Sequence, residues 1–301
     1  MKHPIRWTLL LLVIAFVGYN YSGKFRTGFL ALIGRSPDCT FSRALEAPDE
    51  LERQIALKDK LVAESTIMEK RPGYNRWHTP NGDYWIPAGS DYTLHYNLAE
   101  QARKIYGTGD QAVKAGDVVF DCGANIGLFT TMAIRAGAKR IIAIEPAPEN
   151  LEAFRRNFAG DIDGGKIILI PKGVWDKEDT LTLNVDPKNS AADSFVLKPK
   201  GSEGKIQVAL TTIDKIVAEY SLDQVDFIKL DIEGAESNAL RGAVETIKKF
   251  KPRISVAAYH RPEDPKLITD AVFAARSDYK RECGPCSESN NGVRPDILWF
   301  R

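Results

Sequence analysis

Between residues 118 and 145 the order of residue types restricts the chain to a narrow set of folds. Val118-Val119-Phe120 is a short apolar run of the kind that forms a buried strand. It leads into Asp121-Cys122-Gly123-Ala124-Asn125-Ile126-Gly127, and residues 128–135 then carry apolar side chains at helical spacing. A second apolar run, 141–144, ends on Glu145, 18 residues after Gly127. Glycines let a backbone turn sharply and let a ligand come close to it. An acid at the end of the following strand can accept from two ribose hydroxyls. A tight turn beside a surface carboxylate is the plain structural alternative. Strand, glycine turn, helix, strand and acid in this order point instead to a nucleoside site.

The alternation continues downstream. A helix is expected over 148–158 and strands over 167–170, 225–230 and 254–258, which predicts an α/β fold with a mostly parallel sheet and helices on both faces. A β excursion interrupts it at 181–185 and 206–210, and residues 279–282 and 297–300 would close the sheet as a hairpin. Upstream, a polar loop from residue 36 leads to a helix opening at Pro48-Asp49 and extending toward residue 70. Asn81-Gly82 marks a hairpin between aromatic-rich strands, and 92–105 reads as a helix. The organisation expected is therefore an N-terminal anchor or signal-like segment at 1–35, a helical and hairpin extension at 36–110, and the α/β domain at 111–301.

The ligand can be narrowed by exclusion. A dinucleotide fingerprint needs a middle glycine where this chain has Asn125, and a phosphate loop needs Gly-Lys-Ser/Thr where Gly127 is followed by Leu128-Phe129. No cation is placed to meet phosphates. Carboxylates stand at the strand ends instead: Asp121, Glu145 and Asp231. That set suits a ligand with a ribose, a sulfonium and an ammonium group, which is S-adenosylmethionine. The fourth strand runs through Asp226-Phe227-Ile228-Lys229-Leu230 into Asp231-Ile232-Glu233-Gly234-Ala235-Glu236. Helix capping and the helix dipole explain one or two of these last three acids, but not all of them.

Asp121 to Gly127, Glu145-Pro146 and Phe227 to Glu236, continued by Leu240-Arg241-Gly242-Ala243, Pro252 and Tyr259-His260, resemble the FkbM family of S-adenosylmethionine-dependent methyltransferases. The resemblance covers about residues 90–300 and leaves the first 75 uncovered. It implies a class I methyltransferase fold, a seven-stranded Rossmann-like sheet with the last strand antiparallel. It also implies O-methylation, often of a sugar or glycan hydroxyl. By position, Gly123, Asn125 and Gly127 would flank the methionine part of the cofactor, Glu145 would hold the ribose, and Asp231 would face the methyl-transfer cleft. As acceptor base, Asp231 is the first candidate and His260 the second. No metal ligands are assigned; a divalent metal on Asp231, Glu233 or Glu236 with His260 is chemically reasonable but not the expected state. Two rivals are a nucleotide-dependent oxidoreductase and a non-catalytic glycan-binding or scaffold module on the same fold.

Charge and cysteine content complete the reading. Lys and Arg total 41 against 40 Asp and Glu, a balance that argues against nucleic acid as a partner. The first 35 residues nevertheless hold five basic residues and no acid. Within them, residues 7–23 are uncharged and, as a helix, would reach about 25 Å, near the lower limit for a bilayer. An uncleaved membrane tether is expected there, with the catalytic domain in the cytosol, where S-adenosylmethionine is made. Cys283-Gly284-Pro285-Cys286 has redox spacing but lies in a polar loop, so a structural or incidental role is expected, with Cys39 and Cys122 standing alone. Trp77, Tyr84, Trp85, Tyr92 and Tyr96 serve either to cover a sugar or to pack the sheet.

Overall fold

The computed structural model describes residues 17–185, 189–190, 193–197, 204–289 and 292–301. Its central sheet holds seven strands in the order Arg281–Cys283, Ile297–Phe300, Arg253–Ala257, Phe227–Leu230, Val118–Cys122, Arg140–Ile144, Ile167–Ile170. Five neighbours run parallel, and Ile297–Phe300 inserts antiparallel between Arg253–Ala257 and Arg281–Cys283. The α/β class, the mostly parallel sheet and the antiparallel last strand are those expected. The strands read as continuous apolar runs because both faces are covered. Phe120, Ile142, Ile228 and Val256 point into one core, and Val119, Ile141, Ala143 and Phe227 point into the other, where Phe129, Phe154 and Phe158 meet them. Strand order reverses between Val118–Cys122 and Phe227–Leu230. A crevice outside the carboxyl ends of the strands opens at such a switch point.

The expected hairpin forms with Thr79 paired to Gly82, and the excursion forms as Thr180–Val185 antiparallel to Gly204–Thr211. Residues 36–70 differ from the reading. Their helix runs Phe41–Glu64, and its N-cap is Thr40, whose hydroxyl accepts from the Arg43 amide at 3.3 Å. Pro48 lies inside the helix rather than opening it, because the helix is already capped at Thr40, about two turns earlier. Residues Thr66–Arg71 leave the helix as a strand that extends the hairpin to three strands.

Two corrections concern the termini. Gly23–Leu32, grouped above with the anchor segment, is a helix capped by Ser22 that buries Thr27, Gly28 and Leu30, with Gly28 pressed against Leu45 of the helix Phe41–Glu64. Residues 1–16, most of the expected tether, lie outside the described residues, and among the described residues no helix is long and apolar enough to cross a membrane. Cys39 does not stand alone: it forms a disulfide with Cys286, leaving Cys122 and Cys283 as free thiols. The Gly284-Pro285 turn separates the two cysteines of the CxxC. Cys286 opens the hairpin Cys286–Ser289 and Gly292–Pro295, which faces the start of the helix Phe41–Glu64 and buries the bond among Leu30, Ala44, Ala47 and Val293.

Candidate active site

The glycine turn is fixed from below. Asp121 is fully buried; its Oδ2 accepts from the Thr130 hydroxyl at 2.7 Å and its Oδ1 lies 3.2 Å from the Lys229 ammonium. Lys229 also donates to the carbonyl of Gly123 at 2.7 Å and to that of Cys122 at 3.2 Å. Burial works against its charge, but Asp121 and then Asp231 outweigh burial and raise its pKa. Asp121, read above as a cofactor contact, therefore sits beneath the turn and acts on it through Lys229. Lys229 is a site residue that sequence reasoning missed, although a lysine in the middle of a buried apolar strand was the available signal.

Gly123 has φ +77°, and a Cβ there would lie 1.9 Å from the Asp231 carbonyl oxygen, so only glycine lets the two strand ends approach. Asn125 takes a left-handed φ of +50°, which aims its amide at Glu145 Oε2, 2.8 Å away. The other Glu145 oxygen accepts from the Ala147 amide at 2.9 Å and from Asn150 at 3.4 Å. Burial pushes Glu145 up to about 7 against the pull of these hydrogen bonds. Gly127, with φ +93°, packs on Phe158 and Phe154. The segment at Ser190 crosses above, its carbonyl accepting from Asn150 at 2.8 Å and from Asn125 at 3.3 Å.

Two cavities meet at this turn. A narrow one of about 50 Å³ runs past Glu145, Pro146, Asn150 and Phe195. A larger one of about 370 Å³ is walled by the helices Phe41–Glu64 and Asp91–Ala102 and by the hairpin at Cys286-Ser287. Gly123, Asn125, Asp231 and Glu233 line both. The larger cavity is acidic. Burial, then the charge of Asp231, pushes Glu100 up to about 8, and burial pushes Asp296 up to about 6. Its lining cations are paired: Lys229 with Asp121 beneath the turn, and Arg103 with Glu50 at 2.6 Å, while Arg103 also donates to Gln54. Of the five aromatics considered above, Tyr96 lines this cavity. Tyr84 is buried, and the Trp77 indole donates to Asp91 at 2.6 Å as part of the hairpin's packing.

Asp231 stands where the cavities join. Its Oδ2 accepts from the hydroxyl of Tyr106, a buried residue that no sequence motif singled out. Glu233 follows with a left-handed φ of +54°, an unfavourable conformation for a glutamate of the kind that concentrates at functional sites. Glu236 is fully buried, and its Oε1 accepts from the amides of Ile232 at 2.9 Å and Gly234 at 3.3 Å. The His260 side chain, 3% exposed, lies among all three: its Nε2 is 3.5 Å from Asp231 and 3.4 Å from Glu233, and its Nδ1 is 3.2 Å from Glu236. Burial alone would lower the His260 pKa, but Glu236 and Glu233 outweigh burial and raise it. His260 is absent from the lining of both cavities, so Asp231 is the expected catalytic residue that faces them.

Residues 121–284 match the Methyltransferase FkbM domain, more than half of the chain. The hexuronic acid methyltransferase AglP of Haloferax volcanii is 23% identical over 160 residues, 53% of this chain and 63% of that protein. The 31-O-demethyl-FK506 methyltransferase FkbM of Streptomyces tacrolimicus is 27% identical over 176 residues, 49% of this chain and 67% of that protein. Among solved structures, Methyltransferase FkbM from Methylobacillus flagellatus KT is 20% identical and covers 84% of this chain and 59% of its own, with a TM-score of 0.49. The chain belongs to the FkbM methyltransferase family and is a methyltransferase.

Proposed function

We propose that this protein transfers the methyl group of S-adenosylmethionine to a hydroxyl of a neutral, hydroxyl-rich acceptor such as a sugar or glycan. The observation that carries this reading is the junction at Asp231, where a glycine turn with a ribose-binding acid opens into a second cavity built from other parts of the chain. The nucleoside would lie along Glu145, with the sulfonium near Gly123. The acceptor would enter between the helices Phe41–Glu64 and Asp91–Ala102. In the transfer, the acceptor oxygen bonds to the methyl carbon as the carbon–sulfur bond breaks, S-adenosylhomocysteine leaves, and the hydroxyl proton passes to the Asp231 carboxylate. Most of the rate gain comes from alignment and exclusion of water. Asp231 is the group placed to orient the hydroxyl. Acids outnumber cations on the acceptor wall, which disfavours an anionic acceptor. Calorimetry with S-adenosylhomocysteine and NAD, followed by labelling of cell-envelope extracts with S-adenosylmethionine, tests the reading. Tight binding of NAD alone would overturn it, and binding of neither ligand would favour the scaffold rival.

The membrane tether at residues 7–23 belongs to the same proposal. Tyr21 near the end of that segment and Phe25, Phe29 and Leu32 just after it are exposed, as expected for a face lying against the membrane interface. The origin of the cofactor favours a cytosolic domain, whereas the disulfide Cys39–Cys286 favours an oxidising compartment. Thiol labelling of the protein in intact and lysed cells decides between them. Cys39 and Cys286 that stay unreactive in denatured protein until a reductant is added would contradict the cytosolic placement.

A further inference from the structure

Beneath the Asp231 junction, three potential ligand side chains converge. Asp231 Oδ1 and Glu236 Oε2 are buried and make no hydrogen bond, and the ring nitrogens of His260 face the acids of the cluster at 3.2–3.5 Å. One donor atom from each residue lies within 4.8 Å of the others. A buried polar atom without a partner costs free energy, so a cluster of them calls for an occupant. The remaining atoms of the two acids are all engaged: Asp231 Oδ2 accepts from Tyr106, and Glu236 Oε1 accepts from the amides of Ile232 and Gly234. Metal ligands are commonly held in this way, with one oxygen oriented by the protein and the other left free.

We propose that Asp231, Glu236 and His260 form a binding site for one divalent first-row metal ion. Two donors at about 2.1 Å from a common ion, separated by 90–110°, lie about 3.0–3.4 Å from each other. His260 Nε2 lies 3.5 Å from Asp231 Oδ1, close to that range, and one donor atom of each of the three residues lies within 4.8 Å of the others. Two carboxylates and one imidazole suit manganese or zinc better than magnesium, which prefers oxygen donors throughout. The elements are stiff: Asp231 ends one sheet strand, Glu236 opens the helix Glu236–Arg241, and His260 follows the strand Arg253–Ala257. An ion here would neutralise the acids at the base of the junction and fix Asp231 where it faces both cavities. Glu233, 3.4 Å from His260 Nε2, would add charge at the edge of the site.

The test uses the full-length protein, treated with a chelator and then titrated with Mn²⁺ while the signal of the free ion is followed by electron paramagnetic resonance. Zn²⁺ is added as a competitor. One equivalent of Mn²⁺ should bind and be displaced by Zn²⁺, and Glu236→Gln and His260→Ala should each weaken binding at least tenfold. S-adenosylhomocysteine calorimetry on the same samples separates loss of the metal site from loss of the cofactor site or of the fold. Wild-type protein that binds S-adenosylhomocysteine but neither ion at millimolar concentration would overturn the proposal, as would Mn²⁺ binding that survives both substitutions unchanged.

Discussion

The two cavities that meet at Asp231 have different origins. The narrow one is made by strand ends of the central sheet, with Gly123, Asn125 and Glu145 all inside the span that matches the family. The wall of the larger one comes mainly from Ala47, Glu50, Gln54, Tyr96 and Glu100, which precede that span, and from Ser287 and Asp296, which follow it. The first half is constrained by backbone geometry: positive φ values, close approach and amides aimed at a carboxylate. The second half is constrained by side-chain packing and a disulfide. On the proposed reading, a fold that holds its cofactor with the sheet can change its acceptor by changing what is laid against the sheet.

This contrast can be tested by perturbing each half separately. The largest effect is expected for Gly123→Ala, where the added methyl meets the Asp231 carbonyl at 1.9 Å in a backbone conformation that L-residues disfavour. A loss of about 4 kcal/mol or more in stability is expected, together with S-adenosylhomocysteine binding, measured by thermal melting and calorimetry. Breaking the Cys39–Cys286 bond should act on the other half. The bond joins residues 247 apart in sequence. Its loss in Cys39→Ser should cost about 2–4 kcal/mol in denaturant unfolding, while cofactor affinity changes little.

Glu145→Ala comes next. It should weaken S-adenosylmethionine binding by about 1.5–3 kcal/mol and leave the fold intact, because charge-assisted hydrogen bonds to the ribose are lost. Unchanged affinity in a folded variant would remove Glu145 from the site. The smallest effect is expected at Glu100. Its pKa is raised from 4.5 to about 8 in the folded state, so its contribution to stability is full below pH 4.5 and is lost as pH rises to about 8. Glu100→Gln should therefore flatten the stability profile between pH 5 and 8. An unaltered profile would show that Glu100 ionises freely.

The sequence revealed these two halves unequally, for physical reasons. Gly123, Asn125, Gly127 and Glu145 are neighbours along one strand–turn–helix–strand unit, so their spacing encodes their geometry. Asp231 was legible because three acids after a strand exceed what helix capping needs. Asp121 was misplaced because a strand-end acid can point under the turn as readily as over it, and its Lys229 partner lies on another strand. Tyr106 reaches Asp231 across 125 residues, and Cys39 reaches Cys286 across 247, distances over which no local pattern survives. The start of the helix Phe41–Glu64 was misread because Pro48 is a strong local signal, whereas the helix is already capped upstream at Thr40.

Filling the larger cavity from the wall outside the family span tests the division of labour most directly. Leu51 lines that cavity and is 51% exposed, so a larger side chain fits there without disturbing the core. In Leu51→Trp, S-adenosylhomocysteine affinity should stay within about twofold of wild type, while methyl transfer to the acceptor found in labelled extracts should fall at least tenfold through KM, a difference of about 1.4 kcal/mol or more. Transfer at the wild-type rate, or a loss of cofactor affinity as large as the loss of transfer, would contradict the separation of the two cavities.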